Sequence, residues 1–157
     1  MNKLVIISLS IFCLSCGPKK SLSLNSEYKG TQAKIEYIMI PSGAMVHSYH
    51  IIENNVKYTV GVVDDRIIYI TTNDNRFSIC GLRINDLLPE SFYNKERHYV
   101  PGWGYYIDLG SGWYVGFDHH SKPTEDTRIQ WFFKYDFHNS QSSFLILRDK
   151  GRDSDIS

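Results

Sequence analysis

The 157-residue sequence has no excess charge of either sign and no apolar run long enough to cross a membrane as a helix. Its 17 lysines and arginines balance 17 aspartates and glutamates, which argues against a nucleic-acid backbone or an anionic membrane surface as the main ligand. The apolar run at residues 4–14 falls short of the ~20 residues that a transmembrane helix needs. An apolar content of 42% is enough for one globular domain.

The common signatures of catalytic and cofactor sites are also missing. The sequence contains no glycine-rich phosphate loop, no His-Glu-x-x-His and no Gly-x-Ser-x-Gly, the patterns that mark nucleotide, zinc and serine-hydrolase sites. We therefore expect no cofactor, and a non-enzymatic role is favoured over catalysis.

The N-terminus has the pattern of an export signal. Lys3 precedes the apolar run, which is followed by the small-residue stretch Cys13-Leu14-Ser15-Cys16-Gly17. This stretch resembles the lipobox of bacterial lipoproteins, with Cys13 where that family usually has an aliphatic residue. The resemblance implies cleavage before Cys16, acylation of Cys16 and a lipid anchor in the bacterial cell envelope, at the outer membrane or a periplasmic face.

The same bond also fits ordinary secretory cleavage, because Cys13 and Ser15 are both small. The product would then be soluble in the periplasm or secreted. If Cys16 is acylated, Cys80 is the one remaining thiol and has no intramolecular partner. If Cys16 stays free, a Cys16–Cys80 disulfide becomes possible in an oxidising compartment.

The rest of the chain predicts one β-rich α+β domain with a mostly antiparallel sheet. We expect a signal peptide at residues 1–15, a lipidated N-terminus and flexible tether at 16–33, the globular domain at 34–147 and a polar tail at 148–157. One short helix is predicted over residues 86–96, with Asn85 as its N-cap. Runs rich in β-branched and aromatic residues predict a meander and further hairpins, with strands at residues 34–40, 45–52, 56–63, 66–72, 105–109, 113–118, 128–137 and 144–147.

A group of titratable residues lies at the end of one predicted strand. These types can ligate a metal or act as acid and base, but adjacent histidines in an extended chain point to opposite faces. A solvated loop explains them equally well, and His119 and His120 stay weak metal candidates. The members of the group are Asp118, His119, His120, Glu125 and Asp126.

Aromatic residues are dense between Phe92 and Phe137, a segment that contains all three tryptophans. Tryptophan and tyrosine offer a flat apolar face with a polar edge, which suits stacking on a sugar ring or anchoring a protein interface. The competing interpretation is that these rings fill the core of a small sheet protein. The residues we single out as a candidate binding surface are Trp103, Tyr106 and Tyr114, with Asp108 and Asp118 as polar neighbours.

The sequence therefore favours a lipid-anchored envelope protein that binds a protein or a glycan partner without catalysis. An envelope hydrolase that uses the group from Asp118 to Asp126 is one alternative. An inhibitor or immunity protein is another.

Overall fold

The computed structural model describes residues 22–30, 36–117, 123–124 and 126–138. Within these ranges the chain forms ten strands and one 3₁₀ turn, Glu90–Phe92. The strands are β1 (Glu36–Met39), β2 (Met45–Glu53), β3 (Val56–Val63), β4 (Arg66–Thr72), β5 (Ser78–Ile79), β6 (Leu82–Arg83), β7 (Arg97–Val100), β8 (Gly104–Asp108), β9 (Tyr114–Gly116) and β10 (Trp131–Tyr135).

Eight of these strands form one antiparallel sheet in the order β1-β2-β3-β4-β10-β9-β8-β7. It consists of two four-stranded meanders that join where β10 pairs with β4. The chain leaves β4 and returns at the far edge as β7, and the intervening connection contains the separate β5–β6 hairpin. The β-rich, antiparallel fold predicted from the sequence is thus confirmed.

The turns of the first meander explain why its bounds follow from the sequence. Asn54 and Asn55 connect β2 to β3, and Asp64 and Asp65 connect β3 to β4; all four residues have positive φ, from 47° to 67°. Two-residue hairpins of this kind need φ > 0 at both central positions, which asparagine and aspartate tolerate. The predicted bounds of β3 and β4 are confirmed to the residue, and β2 extends one residue further than predicted.

The predicted helix over residues 86–96 is wrong, since the described residues contain no α-helix and only the 3₁₀ turn falls in that range. Pro89 is extended, with φ −64° and ψ 148°, and a proline disfavours helical conformation in the residue before it. The Asn85 N–H donates to the Ile129 carbonyl at 2.8 Å, and the Ile129 N–H donates to the Asp86 carbonyl at 3.0 Å. The chain therefore satisfies its backbone groups by pairing with residues before β10 rather than by forming a helix.

Both faces of the large sheet are packed. One of them, the covered face, lies beneath the β4–β7 connection, which contributes Phe77, Leu82 and Leu88 to its core. Residues 22–30 cover the same face: the ring of Tyr28 lies 4.4 Å from that of Tyr49, and the Asn25 N–H donates to the Ile67 carbonyl at 2.7 Å. A part of the segment that we expected to be tether thus packs against the domain.

The opposite face is aromatic, and the sheet curls towards it. Its core consists of Ile40, Val46, Tyr69, Trp103, Tyr106, Phe133 and Tyr135. Trp103 follows β7 near one edge of the sheet, yet its indole Nε1–H donates to the carbonyl of Met39 in β1, at the other edge, at 3.3 Å. Because one side chain connects the two edges, we call this the concave face.

Within the strand predicted at residues 128–137, side chains alternate between the two faces along β10 but not before it. Trp131, Phe133 and Tyr135 contribute to the concave face, whereas Phe132 belongs to the core of the covered face. A strict period of two would place Ile129 on the same face as Trp131, but Ile129 packs in the core of the covered face. The reason is that β10 begins only at Trp131, so the period of two does not extend back to Ile129.

Several predictions concern residues outside the described ranges. These are the signal peptide at 1–15, the acylated Cys16, the strand at 144–147 and the tail at 148–157. They stay predictions.

Candidate functional site

The concave face carries a layer of aromatic rings in mutual contact. The ring of Phe133 lies 4.5 Å from that of Trp103 and 5.0 Å from that of Tyr114. Tyr106 lies 5.6 Å from Phe133 in an edge-to-face arrangement. Burial raises the pKa of Tyr106 to about 12, so its hydroxyl is neutral at physiological pH. The rings of this layer supply apolar contact area together with hydroxyl and indole groups.

Trp131 lies at the solvent-exposed border of this layer because the neighbouring strand provides room for it. Gly116 in β9 is the register partner of Trp131, and a Cβ atom at Gly116 would lie 2.2 Å from the indole Cε2 of Trp131. The indole therefore lies directly over the glycine. Its ring is 5.9 Å from that of Trp103 and nearly perpendicular to it, at 86°.

A cleft of about 450 Å³ opens on the concave face beside these two indoles. We call it the concave cleft. Its volume lies in the range of small-molecule sites, which is roughly 300–1,000 Å³. The residues around it come from β2, β3, β4 and the positions next to them, together with the two tryptophans. They are His50, Lys57, Thr59, Tyr69, Thr71, Thr72, Asn73, Trp103 and Trp131.

Sheet register places the polar residues of the concave cleft side by side. His50 pairs with Thr59, and Thr59 pairs with Thr71, across three neighbouring strands. The Thr59 hydroxyl lies 3.2 Å from the His50 Nδ1, and the Thr71 hydroxyl donates to the Phe132 carbonyl at 3.0 Å. Residues two apart on a strand share a face, so Lys57 lies beside Thr59 on the same side of β3.

The charge of the concave cleft resides mainly on Lys57. Burial, together with the nearby positive charge of Lys57, lowers the pKa of His50, against an opposing effect of Glu36. His50 is therefore neutral at pH 7. Burial also raises the pKa of Tyr69, so this tyrosine carries no charge either.

Of the residues singled out from the sequence, Trp103 is the one that reaches the concave cleft. Tyr106 is buried and Tyr114 half-buried in the same aromatic layer, with their rings 5.6 Å apart. Asp108 is exposed, and its carboxylate accepts a hydrogen bond from the Gly110 N–H at 2.7 Å. The structure thus brings three of the predicted aromatic residues onto one face, and their role in binding stays a prediction.

The titratable group predicted near residue 120 lies mostly outside the described residues. Asp118, His119, His120 and Glu125 belong to ranges that the structure does not describe, and Asp126 is exposed. Within the described ranges no three histidine, cysteine, aspartate or glutamate side chains come together in a way that could hold a metal ion. Cys80 is exposed.

Sequence reasoning missed most of the polar residues that line the concave cleft. No motif marks His50, Lys57, Thr59 or Thr71 as a site residue, although all four lie in predicted strands. The available signal was the alternation of side chains along β2, β3 and β4. It places these residues on one face of the sheet, but only once the register of the strands is known. Asn73 follows β4 and carries no pattern of its own.

Comparison of the chain with protein-family models, with curated proteins and with solved structures gives no match. In the part of the chain that the structure describes, no helix has the length and apolar character needed to span a bilayer.

Proposed function

We propose that the chain is a lipid-anchored protein of the bacterial cell envelope that binds a glycan in the concave cleft and catalyses no reaction. The N-terminal resemblance to a lipobox, which ends at Cys16, supports the anchor. The composition of the concave cleft supports the ligand class. These two parts of the proposal are independent and are tested separately.

The observation that carries the binding function is an indole wall beside a row of polar side chains. Trp131 is half-buried at the border of the concave cleft, and a sugar ring stacks on such a surface through its C–H groups while its hydroxyls need donors and acceptors. The hydroxyls of Thr59 and Thr71 and the amide of Asn73 supply these. A cleft of about 450 Å³ favours a ring-sized ligand over a protein partner, because a standard protein interface covers ~800 Å² on each side.

The anchor would keep the binding domain close to the membrane. Residues from Leu22 onwards pack on the covered face, where the Leu22 N–H donates to the Glu53 carboxylate at 3.1 Å. The stretch from Cys16 to Leu22 spans at most about 20 Å even when fully extended. The domain of a protein acylated at Cys16 would then bind glycans that lie near the bilayer surface.

The binding function is tested by screening the full-length protein, purified in detergent micelles, against bacterial envelope glycans. We expect wild-type protein to bind, and Trp131→Ala to weaken binding by about tenfold or more through loss of the stacking surface. Tyr99→Ala is the matched control, because Tyr99 is an exposed aromatic residue of β7 that does not line the concave cleft. Equal effects of the two substitutions, or no glycan binding by the wild type, would contradict the proposal and favour the inhibitor or hydrolase alternatives.

The anchor is tested by the intact mass of the protein isolated from bacterial membranes. We expect a chain that begins at Cys16 and carries the added mass of acyl groups. Substitution of Cys16 by alanine should release the protein from the membrane fraction, because acyl chains supply the membrane affinity. A mature chain that begins at Cys16 without acyl mass would show ordinary secretion instead.

A further inference from the structure

The described residues that line the concave cleft are basic or neutral, and none of them is acidic. We infer that its glycan ligand carries a carboxylate, which forms an ion pair with the Lys57 ammonium while the sugar ring stacks on Trp131. This inference rests on the proposed glycan-binding function and adds the chemical class of the sugar.

The first argument is the composition of the lining. None of the nine lining residues that the structure describes is an aspartate or glutamate. Sites that bind neutral sugars commonly use carboxylates as acceptors for the sugar hydroxyls, whereas a carboxylate ligand would be repelled by them. The lining instead offers Lys57 as a cation and threonine and asparagine as neutral partners, and this set fits an anionic ligand.

The second argument is that the Lys57 ammonium is available. No carboxylate of the described residues lies within ion-pair distance of its Nζ, although the backbone of Lys57 is firmly held. Its N–H donates to Asp74 Oδ2 at 2.9 Å, and its carbonyl accepts from the Thr72 hydroxyl at 2.7 Å. The side chain therefore extends from a fixed backbone and has no carboxylate partner among the residues that the structure describes.

The third argument is that Asp74, which accepts from the Lys57 backbone N–H, is already paired with a cation. Asp74 accepts a hydrogen bond from the Arg76 Nε at 2.8 Å, and the Arg76 Nη2 contacts its second oxygen. These bonds, with those from the backbone N–H groups of Lys57 and Arg76, hold the pKa of Asp74 well below its usual range. Its charge is compensated by Arg76 and does not compete with a ligand for the Lys57 ammonium.

The charge of the concave cleft also selects among anions. Because His50 is neutral at pH 7, one ammonium is the cation that the lining offers, and it matches the single charge of a carboxylate. A phosphate dianion is bound more commonly by arginine forks, and the described residues of the lining include no arginine. A sugar acid is therefore a better fit than a sugar phosphate.

The test compares pairs of sugars that differ in a carboxylate, by isothermal titration calorimetry on the full-length protein in detergent micelles. The pairs are N-acetylmuramic acid with N-acetylglucosamine, and glucuronic acid with glucose. We expect the acidic member of at least one pair to bind about tenfold or more tightly than its neutral partner, as for a hydrogen bond to a charged group.

Substitutions at Lys57 test whether its side chain causes the preference for the acidic sugar. Lys57→Gln should remove the preference for the acid, whereas Lys57→Arg should retain it. Lys29→Gln is the matched control, because Lys29 is exposed, pairs with Glu27 at 3.0 Å and does not line the cleft. Thermal melting curves of all variants confirm that each one folds.

The outcomes separate this inference from the proposed function. Equal affinity for acidic and neutral sugars, or a preference that survives in Lys57→Gln, overturns the carboxylate assignment while glycan binding stands. Binding of a sugar phosphate in place of all the sugar acids also overturns it. Failure of every sugar to bind overturns the proposed function as well.

Discussion

Replacement of Gly116 by alanine should displace Trp131 and remove one wall of the concave cleft. The backbone of Gly116 lies outside the left-handed region, so alanine is not excluded by its conformation. The obstacle is space, since the new Cβ would lie 2.2 Å from the Trp131 Cε2 and 2.3 Å from its Nε1. Ordinary contacts between such atoms are roughly 3.5–4.0 Å, and the indole must therefore move by more than about 1 Å.

The loss of stability follows from the crowding at Gly116 and from the contacts that the Trp131 indole gives up. Overpacking typically costs about 1–3 kcal/mol, and loss of the edge-to-face contact with Trp103 adds up to about 1.5 kcal/mol. Because Trp131 is half-buried, its ring is free to turn towards solvent and relieve part of the overpacking. We therefore expect a net loss of unfolding free energy of about 1–3 kcal/mol, which is less than the sum of the two contributions. Urea unfolding measures this loss. A red shift of tryptophan fluorescence and a loss of glycan affinity of about tenfold should accompany it.

Gly61→Ala is the control for this substitution. Its Cβ would lie 2.8 Å from the Val46 Cγ2 and 3.2 Å from the Tyr69 Cβ, so it crowds the same face without touching Trp131. We expect a comparable loss of stability with indole fluorescence close to wild type, because Trp131 is not displaced. The reasoning is refuted if Gly116→Ala leaves stability, fluorescence and affinity unchanged, or if both variants shift the fluorescence equally.

Three further predictions concern the core, one charged turn and the N-terminus. Phe132→Ala should lower the free energy of unfolding by about 3–5 kcal/mol in urea titrations, because the ring is fully buried between the sheet and its cover; a loss below about 1 kcal/mol would contradict this packing. Asp74→Asn should destabilise the protein at pH 7, and the difference from wild type should shrink below about pH 4, since Arg76 depresses the folded-state pKa of Asp74 and the stabilisation is lost as pH falls towards it; a pH-independent difference would count against the assignment. A thiol reagent should detect one thiol per native mature chain, from the exposed Cys80, whereas two thiols or none would contradict acylation of Cys16.

The sequence predicts those parts of the fold that depend on local signals. β3 and β4 have the predicted bounds because β-branched runs are terminated by Asp64-Asp65 and similar pairs that adopt positive φ. The loop that contains Gly110 and Gly112 likewise connects β8 and β9, between the strands predicted at 105–109 and 113–118. The helix at 86–96 fails for the opposite reason: its apolar spacing is compatible with a helix, but Pro89 and a distant partner, Ile129, determine the backbone. Pairing with residues that are distant in the sequence cannot be recognised from the local sequence pattern.

The candidate site depends on strand order, which the sequence does not contain. The concave cleft forms because β10 inserts beside β4 and brings Trp131 next to Thr71 and Asn73. Trp103 was found from the density of aromatic residues alone. Lys57 became a candidate binding residue only once its position in the structure was known. It lies beside Thr59 on β3, and the described residues that line the concave cleft include no carboxylate.

The most direct test of the account follows the indole N–H signals of the three tryptophans by ¹H–¹⁵N NMR while a sugar acid is added. Trp131 and Trp103 line the concave cleft, whereas Trp113 packs on the covered face against Phe77, with ring centroids 4.7 Å apart, and serves as an internal control. The account predicts saturable shifts of the Trp131 and Trp103 signals and a stationary Trp113 signal. Shifts confined to Trp113, or no shift in any of the three signals, would contradict it.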